Sequence, residues 1–121
     1  MFAQYERLHQ ALQAIRKLIG EDELTVSQAM VLRGVIQSKT PPSQTVLVQA
    51  THIDRSTMAD IVKRLTTAGL LRRRRARHDA RAYEVVATPE GEQKLKTFEH
   101  KARRAAPEIE KLLGGLGIKL V

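Results

Sequence analysis

Apolar side chains recur along this chain in two rhythms, one helical and one alternating. Residues 2 to 19 place Phe2, Tyr5, Leu8, Leu12, Ile15 and Ile19 in steps of three and four, which predicts a helix with one continuous apolar stripe. Gly20 stops it. Residues 25 to 36 predict a second helix with Val26, Met30, Val31 and Val35 as its apolar face, and with Thr25 and Ser27 as capping oxygens near its start. The run KTPPS, Lys39 to Ser43, is a turn, because two prolines cannot continue a helix, and Ser43 caps a short helix over Gln44 to Ala50. THID makes a second tight turn. A further helix then starts at about Asp54, whose carboxylate accepts amide hydrogens. Met58, Ile61, Val62 and Leu65 of that helix face the core at i, i+3, i+4 and i+7.

Gly69 ends that helix, and the rhythm changes. Leu70 to Arg75 and Arg81 to Ala87 read as two strands around a tip at Arg77-His78-Asp79. Thr88 caps and Pro89 opens a last helix. Its residues Leu95, Phe98, Ala102, Ala105, Ile109, Leu112 and Leu116 step alternately by three and four; Pro107 is predicted to kink that helix or divide it in two. Two short helices joined by a tight turn, the second with a polar outer face, make a helix-turn-helix, and the hairpin after it makes a winged helix. The fold class is therefore mainly α with a small β-hairpin wing. Three regions follow: residues 1–22, one terminal helix; 23–88, the winged helix-turn-helix; and 89–121, the other terminal helix or helices. Their apolar stripes (Phe2, Tyr5, Leu8, Leu12 and Ile15; Leu95, Phe98, Ile109, Leu112, Leu113 and Leu116) exceed what the central unit can cover. They are expected to pack with those of a second copy in a dimerisation domain; the alternative is a monomer whose terminal helices fold back on their own domain.

Charge sharpens this picture. Between Lys63 and Tyr83 stand Lys63, Arg64, Arg72, Arg73, Arg74, Arg75, Arg77 and Arg81 against Asp79 alone, a net +7, while the whole chain of 121 residues carries +8. Nearly all the excess charge sits on one helix-and-hairpin unit, as in a chain that grips a polyanion. With aromatics at 3% there is no stacking platform for single strands, so duplex DNA is the better partner than RNA. Arginine suits phosphates and narrow minor grooves through its planar fork. A dimer using three or four basic residues per subunit would show a log–log salt slope of about −5 to −7.

The segment STMADIVKRLTTAGLLRR, then DARA, then ATPEG, resembles the MarR family of winged-helix transcription regulators, over about Leu24 to Leu95. The resemblance implies a homodimer whose recognition helices enter successive major grooves of a pseudo-palindromic operator, with wings in the flanking minor grooves. It implies that Ser56 and Thr57 meet phosphates and base edges at the helix start. Arg81 is then the minor-groove arginine of the wing, and Asp79 braces the wing through a basic partner, Arg73 above all. Gln44, Arg55, Lys63, Arg64, Arg74, Arg75, Arg77 and His78 complete the expected DNA face. Asp60 departs from the pattern: it accepts from a cytosine amino group or, on the simpler reading, pairs with Lys63 or Arg64 one turn on. The family also implies a repressor, released in many members by a small aromatic or organic acid; Tyr5, His9 and Arg16 are the polar groups on the first helix that such a ligand would meet, although Tyr5 in the core and the other two at the surface is the plainer reading.

Other chemistry finds little support. No HxxxH or HExxH spacing exists among His9, His52, His78 and His100, and no GxSxG, Walker or GxGxxG motif occurs, so no catalysis, metal or cofactor is expected. No apolar run approaches the ~20 residues of a spanning helix, and the start MFAQYERLHQ lacks a secretory pattern; the expected location is the cytoplasm. Two rival roles stay open: a winged-helix module that meets an acidic protein surface, and an architectural protein that binds DNA regardless of sequence.

Overall fold

The computed structural model describes residues 2–20, 24–76 and 82–117. The element order is α1 (Phe2–Ile19), α2 (Val26–Gln37), α3 (Gln44–Thr51), α4 (Arg55–Thr67), β1 (Leu71–Arg75), β2 (Tyr83–Ala87) and α5 (Pro89–Gly114). The chain divides into two compact units, one of residues 24–96 and one of residues 1–23 with 97–121.

The first of these is the winged helix. Its helices start where short polar side chains satisfy otherwise unpaired amides. The Thr25 hydroxyl accepts from the Gln28 amide while the Gln28 side chain accepts from the Thr25 amide (3.1 and 3.0 Å), a reciprocal capping box; Ser27 lies inside the helix. The Ser43 hydroxyl accepts from the Val46 amide (3.2 Å), and Asp54 accepts from the Thr57 amide (3.0 Å). The helix-turn-helix bend passes through His52, whose φ of 61° ends α3 in the left-handed region.

The core of this unit is built from Val31, Leu32, Leu47, Met58, Val62, Leu65, Leu71 and Val85, all at most 2% exposed. The α4 face is the one its spacing predicts. The α2 face is rotated from the predicted one: Ala29, Val31, Leu32 and Val35 are buried, while Val26 and Met30 are 54% and 42% exposed. In VSQAMVLRGVIQ apolar side chains (Val26, Ala29, Met30, Val31, Leu32, Val35 and Ile36) are spread around the helix rather than kept to one stripe. The choice of face therefore falls to α3, α4 and β2, which pack against α2.

The two strands pair antiparallel, with Leu71 opposite Ala87, Arg73 opposite Val85 and Arg75 opposite Tyr83. The Val85 amide donates to the Pro42 carbonyl (2.9 Å), so the wing is tied to the turn before α3. Thr88 locks the far side: its hydroxyl donates to the Gly69 carbonyl (2.7 Å) and accepts from the Gly91 amide (3.0 Å). Gly91 sits against the Leu70 carbonyl, where any Cβ would overlap it. That close approach is why the ATPEG run needs glycine there.

The second unit contains α1 and the later turns of α5. The first helix has the predicted bounds, but Phe2, Tyr5, Leu8 and Leu12 are 78%, 65%, 41% and 57% exposed. Buried in this unit, among the described residues, are Ala11, Ile19, Phe98 and Ala105. Helix α5 runs unbroken through Pro107 to Gly114, so the predicted division does not occur. Proline removes one backbone donor, and helix-favouring neighbours on both sides carry the helix across.

Candidate nucleic-acid interface

Helix α4 presents the polar side chains that its burial pattern leaves outside. Arg55, Ser56, Thr57, Asp60, Lys63 and Arg64 are all exposed, opposite Met58, Ile61, Val62 and Leu65. Their chemistry is already partly committed. The Ser56 hydroxyl donates to Asp54 Oδ2 (2.8 Å), the oxygen that also accepts the Thr57 amide. Hydrogen bonds from Thr57, through its side chain and its amide, and from the Ser56 hydroxyl hold the Asp54 carboxyl down at about 2. The helix start therefore carries a fixed negative charge that satisfies its own amides, and Ser56 is oriented by Asp54 before any ligand arrives. One turn on, Arg64 Nε donates to Asp60 Oδ2 (2.8 Å), the intrahelical pairing that the spacing suggests.

The hairpin carries four consecutive arginines, Arg72 to Arg75, all exposed. Strand alternation divides them. Arg73 and Arg75 share a face with Leu71, Tyr83 and the buried Val85; Arg72 and Arg74 share the other with Glu84 and Val86. Arg74 Nε donates to Glu84 Oε2 (2.9 Å) across the strands. That partner is legible in hindsight, because a hairpin folded about position 79 pairs 74 with 84. No described carboxylate pairs with Arg73. The predicted wing-tip residues Arg77, His78, Asp79 and Arg81 lie outside the described residues.

A cleft of about 570 Å³ opens between the wing and the start of α3, lined by Ser43, Gln44, Thr45, Arg73, Ala82, Tyr83 and Val85. Of these, the sequence pointed to Gln44 and Arg73. Tyr83, Ser43 and Thr45 join them only through the Val85–Pro42 hydrogen bond, a contact between distant residues that no local pattern announces.

Tyr5, His9 and Arg16 are exposed along α1. They do not line the groove of about 480 Å³ in the same unit, which is formed by Leu18, Ile19, Lys101, Arg104, Ala105 and Glu108. Among the described residues, no cluster of acidic or histidine side chains is placed to hold a metal ion, and no helix is long and apolar enough to cross a membrane.

A helix-turn-helix with an exposed basic second helix, followed by an arginine-rich hairpin, defines a winged-helix protein of the transcription-regulator type. The sequence pattern of the MarR family matches residues 22–82, and the chain belongs to that family, whose members are transcription regulators rather than enzymes. Among solved structures, it is similar to the PcaV transcriptional regulator from Streptomyces coelicolor in complex with its natural ligand: 28% identity over 85% of this chain and 76% of that one, with a TM-score of 0.75. It shares the fold of a MarR variant from E. coli complexed with operator DNA (16% identity, 88% and 76% coverage, TM-score 0.75). The same holds for BpsR of Bordetella bronchiseptica, whose DNA binding is regulated by 6-hydroxynicotinic acid (23% identity, 88% and 75% coverage, TM-score 0.76). No curated protein matches the chain by sequence.

Proposed function

We propose that the protein binds duplex DNA in a sequence-specific way as a homodimer on a pseudo-palindromic operator, and represses transcription until a small organic acid releases it. The observation that carries this reading is the segregation within the winged helix: the apolar side of α4 is fully buried, while its polar side and all four β1 arginines stand outside. In this reading Arg55, Thr57, Lys63 and Arg64 work in the major groove with Ser56, which Asp54 orients. Gln44, Arg73, Arg74 and Arg75 meet the backbone, and Arg77, His78 and Arg81 carry the wing tip into the minor groove, with Asp79 bracing it. Residues 1–22 and 89–121, which flank the winged helix of 23–88 in the sequence, would form the dimerisation region.

Support for the dimer comes from α1, whose residues Phe2, Tyr5 and Leu12 are more than half exposed, with Leu8 at 41%, an arrangement that a second copy relieves. Leu95 and Phe98 are already 7% and 9% exposed within one chain, so α1 carries more of the proposed contact than that part of α5. Support for an acid effector comes from BpsR, whose DNA binding is regulated by 6-hydroxynicotinic acid, and support for a ligand from PcaV, solved in complex with its natural ligand; Tyr5, His9 and Arg16 are the groups proposed to receive it.

The test is a binding titration against the DNA upstream of the protein's own coding region, with unrelated DNA as competitor, at two salt concentrations. Saturable binding that survives the competitor and falls steeply with salt is the expected result. Equal affinity for both DNAs would replace the reading with an architectural binder. Absence of binding at low salt would move the basic hairpin to a protein partner.

A further inference from the structure

The cleft between wing and α3 has a floor and two walls of different origin. Val85, 1% exposed, closes the floor, and the hydrogen bond its amide donates to the Pro42 carbonyl sets the spacing between the walls. Arg73 and Tyr83 rise from the strands on the face that Val85 occupies; Ser43, Gln44 and Thr45 stand across from them. Small side chains at Ser43, Thr45 and Ala82 leave the space open. Tyr83 is 52% exposed, an aromatic side chain that lines the cleft with Arg73 rather than filling the core. Among the described residues the charge is one-sided: the wing carboxylate Glu84 belongs to the opposite strand face and is tied there by Arg74. The Ser43 hydroxyl accepts from the Val46 amide, which leaves its own hydrogen to donate outwards. A guanidinium and several hydroxyls, with no acid among the described lining residues, suit an oxyanion.

We propose that this cleft seats one phosphate of the DNA backbone, with Arg73 and Tyr83 donating from the wing and Ser43 and Thr45 from the start of α3. The proposal rests on the DNA-binding reading above and gives it a particular contact. A protein with α4 in a major groove and a wing tip in the neighbouring minor groove must straddle the sugar–phosphate strand between them. The cleft is a concave surface between the wing and the start of α3 that can receive that strand. Tyr83 thereby becomes a DNA-contacting residue.

The experiment uses a labelled duplex selected by the wild-type protein from a random-sequence library. Arg73→Ala is expected to weaken binding and to reduce the log–log salt slope by about 1 per bound protomer. Tyr83→Phe is expected to weaken binding by up to roughly tenfold with the slope unchanged, since a neutral donor is lost. Both side chains are exposed, so equal melting temperatures serve as the fold control. Replacing phosphates one at a time by methylphosphonate should find one position per half-site that weakens the wild type and costs the Arg73→Ala/Tyr83→Phe double variant nothing further. If the double variant keeps the wild-type sensitivity at every phosphate, the cleft assignment is overturned while the regulator reading stands. If Asp79→Asn reproduces the full Arg73→Ala loss and Tyr83→Phe is silent, Arg73 is a wing brace and the assignment is again overturned. A wild type that selects no duplex at all overturns the regulator reading itself, and the phosphate with it.

Discussion

The two units of this chain solve the same problem differently. In the winged helix, Leu32, Leu47, Met58, Leu65 and Val85 are buried to 2% exposure or less by elements of their own unit. In the other unit α1 is just as apolar in pattern, yet Phe2, Tyr5 and Leu12 remain more than half exposed. An amphipathic stripe is a demand for cover, and it does not say who supplies the cover. The first unit meets that demand internally and can hold a DNA-reading surface rigid. The second leaves it open, which is the physical basis for assigning it to assembly.

Substitutions can break this contrast from either side. The largest effect is expected from Leu32→Ala, at a fully buried position where the neighbours cannot collapse. It should cost about 2–5 kcal/mol, seen as an early melt of the whole winged helix. Leu12→Glu should act elsewhere, placing an unpaired charge in the proposed contact between copies at a cost of several kcal/mol to assembly. Sedimentation should then report monomer, while chemical shifts of the winged-helix core stay in place; a wild type that is already monomeric would remove the contrast altogether.

A smaller effect, tied to pH, is expected at the start of α4. The Asp54 carboxyl titrates at about 2 in the folded chain against 3.8 for the ordinary group. Its folded value is the lower one, so the unfolded chain takes up the proton first as pH falls. The stabilisation is therefore complete above about pH 4 and is lost between about pH 4 and pH 2. Asp54→Asn keeps a capping oxygen but no charge. It should be less stable than wild type at neutral pH, and the two urea-unfolding curves should converge as pH falls through that window; parallel curves throughout would show that the charge contributes nothing. The smallest effect is expected at the wing's exposed ion pair. Glu84→Gln should change stability by less than about 1 kcal/mol, yet strengthen duplex binding by releasing Arg74, a gain readable in the same titration.

Much of the winged helix was legible along the chain because its signals are local. Thr25, Ser43 and Asp54 cap helices through residues three positions away, and Met58, Ile61, Val62 and Leu65 bury the face that their spacing implies. The Asp60–Arg64 pair follows from one helical turn. The α2 face was misread at Val26 and Met30 because apolar residues surround that helix. Of the two outcomes expected at Pro107, the division does not occur, because a missing donor costs less than breaking a helix of 26 residues.

By itself, the sequence determined the order of elements, the helix ends, the face of α4 and the concentration of charge on the hairpin, since each depends on residues within a turn or a strand of one another. Tertiary structure alone decided which side of α2 is buried, and that Val85 hydrogen-bonds Pro42 and so opens a cleft beside Tyr83. It alone decided that Gly91 lies against Leu70. Those outcomes are contacts between segments far apart in the chain, settled by which surfaces exclude water together, and no local periodicity encodes that choice.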